Sequence, residues 1–182
     1  MKLSYYRLGN ANDDLFPAFW KLYENAFPLM ERRDLVLQKK VLTQEIYHCD
    51  VILNDQECVG IILWWQFNNA VYIEHLAIED KWRGQGLGAQ VLNDFMNGNE
   101  QRIILEVELP DKTINKRRIT FYQRIGFKLN NYKHKQWPLR RNGEELDLLL
   151  MSFPNLLTSS EFKEFQIELK ERCFLSFQDY IV

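Results

Sequence analysis

Three glycines at alternate positions, Gly84, Gly86 and Gly88, stand between two segments of different hydrophobic period. Residues 70–78 alternate as a strand does, and the segment after the glycines has a helical apolar stripe of Leu87, Val91, Leu92 and Phe95. Glycine lets a backbone approach a ligand closely, and the first N–H groups of a helix lack partners within it. Because these donors and the helix dipole attract anions, the loop is predicted to bind a phosphate or pyrophosphate.

Two common phosphate loops can be compared with this one. A P-loop places Lys and then Ser or Thr after its second glycine, and no such pair follows Gly88. The dinucleotide fingerprint fits Gly84-x-Gly86-x-x-Ala89, with Glu106 placed 20 residues after Gly86 as the ribose-binding acid. However, five residues (79–83) separate the strand from the first glycine, whereas the dinucleotide turn is tight. Dinucleotide binding therefore stays an alternative and not the leading interpretation.

A second register, Arg83-x-x-Gly86-x-Gly88, resembles the acetyl-CoA signature of the GCN5-related N-acetyltransferase (GNAT) superfamily. Asn115, followed by Phe121-Tyr122 and then Gly126-Phe127, resembles the second motif of that superfamily. The two motifs stand in the expected order, and the resemblance covers residues 2–152. It implies an enzyme that moves an acetyl group from acetyl-CoA to a primary amine by direct attack in a ternary complex, without a metal.

The resemblance also implies a place for each part of acetyl-CoA. Pantetheine would enter between two splayed parallel strands, 70–78 and 101–109, and pair with backbone groups of Leu76, Ala77 and Ile78. Asn115 would contact the cofactor or cap its helix. The pyrophosphate would be held by N–H groups of the loop and the first helical turn: Arg83, Gly84, Gln85, Gly86, Leu87, Gly88 and Ala89.

Acetyl transfer from a thioester to an amine requires a proton acceptor for the amine and a proton donor for the thiolate. Tyr122 occupies the motif position of the donor, although a tyrosine beside Phe121 and Phe127 can also serve only packing. The resemblance therefore implies Tyr122 as the general acid.

The general base has two candidates on the predicted central strands. Glu74 is predicted to share one strand face with Tyr72, Leu76 and Ile78. Glu106 lies on the partner strand, with Glu108 on the same face, at a position that some ribosomal-protein acetyltransferases use as base. A buried carboxylate is costly without a partner, so either could be a structural ion-pair residue instead, and a water chain is the third alternative.

The elements that must position these residues follow from periodicity and turn signals. They predict an α/β fold with a mixed, mostly antiparallel twisted sheet of about seven strands flanked by helices, in agreement with the GNAT fold. One domain, 1–182, is predicted, with a core over 1–152 and a C-terminal helical extension over 153–182 that a Thr158–Glu161 capping box begins. The predicted strands are 2–8, 47–53, 57–67, 70–78, 101–109, 127–133 and 144–152, and the other predicted helices are 12–27, 31–44, 87–97 and 115–125.

Composition limits the remaining function classes. Hydrophobic residues make up 46% of the chain, which is enough for a packed core, and no apolar run is long enough to span a membrane. Cys49, Cys58 and Cys173 form no CxxC pair and are predicted to be free thiols in the cytoplasm. His48, His75 and His134 are scattered, so no metal site is predicted.

A basic segment, 112–141, contains ten Lys or Arg and no acidic residue. It is either a solvated face or a surface for CoA phosphates or an acidic substrate; no nucleic-acid motif accompanies it. Its loop at 133–143 carries Trp137 and is predicted to fold over the acceptor groove. Charges of Lys133, Lys135, Arg140 and Arg141 would then favour a small amine bearing a carboxylate or phosphate.

Other functions remain open on the sequence alone. A non-catalytic acyl-CoA-binding or regulatory module would keep the loop and lose the acid and base. A protein N-terminal acetyltransferase would need an open channel for its peptide. The chain is expected to act as a monomer or a homodimer, without a nucleic-acid or membrane partner.

Overall fold

The computed structural model describes residues 2–181 and contains one mixed sheet of eight strands in the order β1-β2-β3-β4-β5-β8-β6, with β7 also paired to β8. Every described pair is antiparallel except β4 with β5. The strands are β1 (Leu3–Arg7), β2 (Tyr47–Asn54), β3 (Glu57–Gln66), β4 (Ala70–Ile78), β5 (Arg102–Glu108), β6 (Lys128–Leu129), β7 (His134–Gln136) and β8 (Leu146–Phe153).

Helices cover both faces of this sheet. Five α-helices precede a final turn: α1 (Phe16–Ala26), α2 (Leu35–Val41), α3 (Leu87–Asn97), α4 (Thr113–Ile125) and α5 (Ser159–Glu168). After α5 the chain continues as a π-helix (Leu169–Phe174), a 3₁₀ turn (Leu175–Phe177) and α6 (Gln178–Ile181). Two more 3₁₀ turns, Leu29–Glu31 and Asp80–Trp82, follow α1 and β4. Within residues 2–181, no helix has the length and apolar character needed to cross a membrane.

The sheet separates two hydrophobic cores. On one side, here the α1 face, Phe19, Leu37 and Phe165 pack with Leu63 and Tyr72. On the other side, the α3 face, the buried residues Leu87, Val91, Ile119, Ile62, Val71 and Leu105 form a second cluster. The predicted mixed α/β sheet flanked by helices is thereby confirmed.

The parallel strands β4 and β5 pair along only part of their length. Their register runs from Ala70 opposite Arg102 to Ile73 opposite Leu105, and the described residues beyond these points are not paired with each other. Both strands keep their outer neighbours, since Ala77 pairs with β3 and Val107 pairs with β8. The predicted splayed pair is therefore present, and it opens a slot between residues 74–78 and 106–108.

A β-bulge at Glu74 changes which side chains share a face of β4. Leu63 stands opposite His75 and Trp64 opposite Ile73, so Glu74 is the extra residue. Tyr72 and Ala77 belong to the core of the α1 face, whereas Leu76 and Ile78 pack against the core of the α3 face. The prediction that Tyr72, Glu74, Leu76 and Ile78 share one face is wrong, because strict alternation does not anticipate a bulge.

Two predicted helices on the α1 face are shorter in the structure. The helix predicted over 12–27 begins at Phe16, with Pro17 in its first turn, where proline is well tolerated. The helix predicted over 31–44 divides into the 3₁₀ turn and α2, because Asp34 caps α2 by accepting a hydrogen bond from the Leu37 N–H at 2.8 Å.

The strand predicted over 127–133 is interrupted, which raises the strand number to eight. The Asn130 side chain donates to Ser152 Oγ at 2.9 Å and accepts from the Leu157 N–H at 2.8 Å. These bonds anchor the chain between β6 and β7 to β8 and to the segment that follows it. An asparagine thus replaces regular strand pairing at this point.

The C-terminal helices belong to the core of the α1 face. Thr158 and Glu161 form the predicted capping box, with the Thr158 N–H donating to the Glu161 carboxylate at 2.7 Å. The stripe of Phe165, Leu169, Cys173 and Phe177 is buried against the sheet. These residues cover the part of the α1 face that lies beside the slot.

Candidate functional site

The glycine loop joins the splayed end of β4 to the first turn of α3. Gly84 and Gly86 have φ of +77° and +81°, a left-handed conformation that favours glycine. A Cβ built at either position would meet no heavy atom within 4 Å, so the space above the loop is open. A Cβ built at Gly88 would instead lie 3.5 Å from the Phe121 ring, an ordinary van der Waals contact, so this position faces α4 and not the open space. The loop therefore presents open space to a ligand at the positive end of α3.

The Arg83 side chain folds back over the loop that it begins. Its Nε donates to the Ile78 carbonyl at 2.9 Å, and its guanidinium lies 2.8 Å from the Asp80 carboxylate. Arg83 thus braces the turn after β4. Its backbone N–H donates to the Asp80 carbonyl at 3.2 Å, so the predicted use of this N–H for a pyrophosphate is not available in the structure.

Tyr122 and Asn115 lie on α4, on the α3 face. Burial raises the pKa of Tyr122 to about 12, so its hydroxyl stays protonated at neutral pH. The Asn115 amide donates to the Leu109 carbonyl at 3.0 Å and to Asp111 at 2.8 Å, and so fixes the turn between β5 and α4. The helix begins at Thr113 and not at Asn115 as predicted.

Glu74 is enclosed on the α1 face by Arg33. Its two oxygens lie 2.5 Å and 2.6 Å from the guanidinium nitrogens, and the Trp65 indole donates to it at 3.0 Å. Burial raises the pKa of Glu74, but the charge and hydrogen bonds of Arg33 outweigh it, so that pKa lies well below its usual range. Only 1% of either side chain in the ion pair is exposed. This arrangement favours an ion-pair role for Glu74 over proton transfer.

Glu106 stands one residue beyond the last parallel pair, at the apex of the slot, and also faces α1. Its Oε2 accepts from the Tyr72 hydroxyl at 2.6 Å and from the Gln136 amide at 2.7 Å. Its Oε1 lies 2.5 Å from His134 Nε2. Three side chains from β4 and β7 thus hold this one carboxylate. Glu108 instead forms an ion pair with Arg118 of α4.

A groove of about 1180 Å³ runs between the β7–β8 hairpin and the C-terminal helices. Residues that line this β7 groove include His134, Trp137, Leu148, Lys163, Ile167 and Lys170. Trp137 stacks on Phe174 with 5.2 Å between ring centroids, and Arg140 donates to the Leu29 carbonyl at 2.9 Å. The loop after β7 is thereby anchored to the π-helix on one side and to the turn after α1 on the other.

The structure brings some predicted site residues together and separates others. Leu76, Ala77, Ile78 and the glycine loop lie along one path from the slot to α3, and Tyr122 lies on the same side of the sheet. Glu74 and Glu106 both face α1, in separate networks. Among residues 2–181, no group of three or more acidic, histidine or cysteine side chains could hold a metal ion.

Arg33 and the three partners of Glu106 are not among the site residues predicted from the sequence. Arg33 sits in a segment predicted as a plain helix, and nothing in its neighbours reveals a partner 41 residues away. His134 and Gln136 do carry a weak signal. They alternate with Lys133 and Lys135, a period-2 pattern of two neutral and two charged side chains within what was predicted as a loop.

Comparisons with known proteins agree with this geometry. The acetyltransferase (GNAT) domain model matches residues 45–129. A protein of Bacillus subtilis (strain 168) named as an acetyltransferase, YjbC, is 30% identical over 106 residues, which are 56% of this chain and 52% of that protein. The chain therefore spans about half the length of this curated relative.

Two solved structures extend the comparison. One, from Bacteroides thetaiotaomicron and described as an acetyltransferase of the GNAT family, is 27% identical with a TM-score of 0.86, covering 93% of this chain and 97% of that chain. Another, from Elizabethkingia anophelis with acetyl-CoA bound, is 18% identical with a TM-score of 0.58, covering 82% of this chain and 96% of that chain. At that lower identity the second likeness supports the fold alone.

Proposed function

We propose, from the match of residues 45–129 to the acetyltransferase (GNAT) domain model and from the likeness to the Bacteroides thetaiotaomicron structure, that the protein transfers an acetyl group from acetyl-CoA to a primary amine of a small molecule. The observation that carries the proposal is the slot between β4 and β5, which leads directly to an open glycine loop at the start of α3. We place the whole of 1–182 in one acetyltransferase domain, with residues 153–182 as its helical extension.

The residues present fit acetyl-CoA. The open space above Gly84 and Gly86 suits a pyrophosphate, and backbone groups of Leu76, Ala77 and Ile78 on the unpaired side of β4 suit an extended pantetheine. When bound, acetyl-CoA supplies an activated acyl group. The chain positions it beside the amine, and orientation of this kind can contribute about 7–11 kcal/mol to catalysis.

The C-terminal helices and the loop after β7 cover the α1 face, and this favours a small acceptor. The C-terminal helices bury the sheet beside the slot, and the Arg140 contact with Leu29 ties the loop after β7 to the turn after α1. A peptide acceptor would need an open channel between these same segments. Lys135 is paired with Glu145, so the basic loop has less charge for an acidic acceptor than the sequence suggests. Cys49 and Cys173 are buried free thiols, which suits a reducing compartment such as the cytoplasm.

Acetyl-CoA is expected to raise the melting temperature of the protein, while NAD leaves it unchanged. At a ligand concentration 100 times Kd, binding stabilises the folded state by about 2.7 kcal/mol, which thermal denaturation detects. Release of free CoA thiol in the presence of primary amines then measures turnover. A shift with NAD alone would contradict the assignment, and binding of acetyl-CoA without turnover of any amine would favour the non-catalytic module.

We propose Tyr122 as the proton donor to the leaving thiolate. Tyr122→Phe is expected to lower kcat by about 10²-fold, with little change in acetyl-CoA affinity, because the variant keeps the ring and loses only the hydroxyl group that donates the proton. Steady-state kinetics with thiol detection measure the effect. Tyr6→Phe, at an exposed tyrosine of β1, is the matched control and should keep full activity. Unchanged turnover in Tyr122→Phe would leave Tyr122 a packing residue.

A further inference from the structure

We propose that His134, held by Glu106, is the base that takes the proton of the acceptor amine, and that the acceptor lies in the β7 groove. This inference rests on the proposed acetyl transfer and assigns the base and the acceptor pocket of that reaction. Glu106 is then a positioning residue.

The hydrogen bonds of Glu106 fix the proton position on His134. The Tyr72 hydroxyl and the Gln136 amide occupy its Oε2, and His134 occupies its Oε1. An ionised carboxylate only accepts hydrogen bonds, so the contact at 2.5 Å places a proton on His134 Nε2. In the neutral imidazole, the free lone pair is therefore on Nδ1. This division of roles is that of a carboxylate–histidine pair, in which the acid fixes the tautomer and stabilises the imidazolium.

The other ring nitrogen of His134 has no partner in this network. His134 Nδ1 is buried and has no hydrogen-bond partner among residues 2–181. Only 1% of the His134 side chain and 5% of the Glu106 side chain are exposed. A buried acceptor without a donor is unfavourable, and a bound N–H group removes this cost. His134 is also among the residues that line the β7 groove.

The groove indicates the class of acceptor. Leu148, Ile167 and the Trp137 ring provide apolar surface. Four lysines (Lys133, Lys135, Lys163 and Lys170) outnumber two acidic residues (Glu145 and Asp147) in the lining, which leaves it with a positive net charge. This lining suits a primary amine on an apolar body that also carries a carboxylate, such as a hydrophobic amino acid. Its amine would donate to His134 Nδ1 directly or through one water.

The proton balance of the reaction assigns one proton to His134. An acceptor that enters as an ammonium ion gives this proton to Nδ1, and the imidazolium later releases it to solvent. The nitrogen lone pair then forms the amide N–C bond as the C–S bond breaks. The second nitrogen proton replaces the one that Tyr122 gives to sulfur, so no net charge accumulates on the chain.

The test uses the full chain with L-phenylalanine, L-leucine, phenethylamine and spermidine as acceptors and thiol release as the readout. His134→Ala is expected to lower kcat by about 10²-fold while keeping the acetyl-CoA melting shift. Free imidazole should restore part of the lost activity of His134→Ala. It should have no effect on Tyr122→Phe, which lacks the acid and keeps the base.

Four further variants distinguish loss of a base from a merely structural effect. His134→Gln can still donate to Glu106 but cannot take a proton, so a folded and inactive His134→Gln supports the proposal even if His134→Ala unfolds. Glu106→Gln should lower kcat, and its combination with His134→Ala should cost no more than His134→Ala alone, because the two residues act as one unit. His48→Ala is the control and should keep full activity, because His48 lies on β2, which β3 and β4 separate from β5 in the sheet.

The outcomes separate this inference from the proposed function. No thiol release from the wild type with any of the four amines would remove the acetyl transfer and the inference together. Wild-type turnover that persists in folded His134→Gln overturns the role of His134 and leaves the acetyl transfer intact. So does an inactive, folded His134→Ala that binds acetyl-CoA and does not respond to imidazole.

Discussion

Replacing Arg33 with methionine is expected to lower the free energy of unfolding by about 3–5 kcal/mol at neutral pH, because the Glu74 carboxylate is left charged and unpaired in the interior. The Arg33 guanidinium also lies 5.7 Å from the ring centroids of both Tyr47 and Trp65, contacts that methionine only partly replaces. Chemical denaturation of Arg33→Met and the wild type measures the difference. Arg32→Met is the matched control, since the neighbouring Arg32 pairs with half-exposed Glu24 and such pairs contribute about 0–1 kcal/mol.

The same pair predicts how the difference depends on pH. In the wild type, Arg33 lowers the pKa of Glu74, so the pair stabilises the fold above the unfolded carboxyl pKa of about 4.3 and loses this contribution as the pH falls below it. In Arg33→Met, burial without a partner raises that pKa, so the penalty is present at neutral pH and disappears on protonation. The two stabilities should therefore converge as the pH falls from about 7 to about 4, because each pH unit in this range removes about 1.4 kcal/mol of the penalty. A difference that is constant over this range would mean that lost packing, and not the unpaired charge, causes the effect.

A double variant decides between the two roles weighed for Glu74. Arg33→Met with Glu74→Leu removes both charges and should recover much of the lost stability, because apolar replacement of a whole buried pair is often neutral. If this folded double variant keeps its turnover, Glu74 is not the base. Loss of turnover in a stable double variant would restore Glu74 as a candidate.

Gly86→Val is expected to abolish the melting shift caused by acetyl-CoA, a loss of about 2.7 kcal/mol of ligand stabilisation at 100 times the wild-type Kd. Valine at a φ of +81° is strained, and its side chain would fill the open space above the loop where a phosphate is proposed to lie. Thermal denaturation with and without acetyl-CoA measures this, and the protein without ligand should still unfold cooperatively.

Strain and lost ligand space can be separated with Asp55→Val. Asp55 also has a left-handed backbone, with φ of 56°, but it lies in the turn between β2 and β3. This variant should lose intrinsic stability and keep the full acetyl-CoA shift. A Gly86→Val protein that still responds to acetyl-CoA as the wild type does would remove the glycine loop from the proposed binding site.

Features that depend on a few adjacent residues could be predicted from the sequence. The glycine loop and the Thr158 capping box are each encoded within a handful of positions, because caps and tight loops have short-range chemistry. The order of strands and helices followed in the same way from hydrophobic periodicity. The splayed pair came instead from the family resemblance carried by two motifs.

Features that depend on register between distant strands could not be predicted. The bulge at Glu74 exists only in relation to β3, and its effect is to move Leu76 and Ile78 to the opposite face from Glu74. The pairing of Glu106 with His134 needs β7 to lie beyond β8, which no local pattern in the 133–143 segment specifies. Both candidate bases were therefore named from the sequence, while the partners that distinguish them were not.

The slot between β4 and β5 is an edge of unpaired backbone enclosed within a sheet. The edge strand of a sheet can pair with a neighbouring chain, and charged residues or proline on that strand prevent such pairing in many proteins. Here β3 and β8 stand on either side, and only four residue pairs hold the two central strands together below the opening. Neighbouring strands are about 4.8 Å apart, so a guest must be as thin as a single extended chain. The width of the slot therefore selects ligands by their cross-section, before any side chain contacts them.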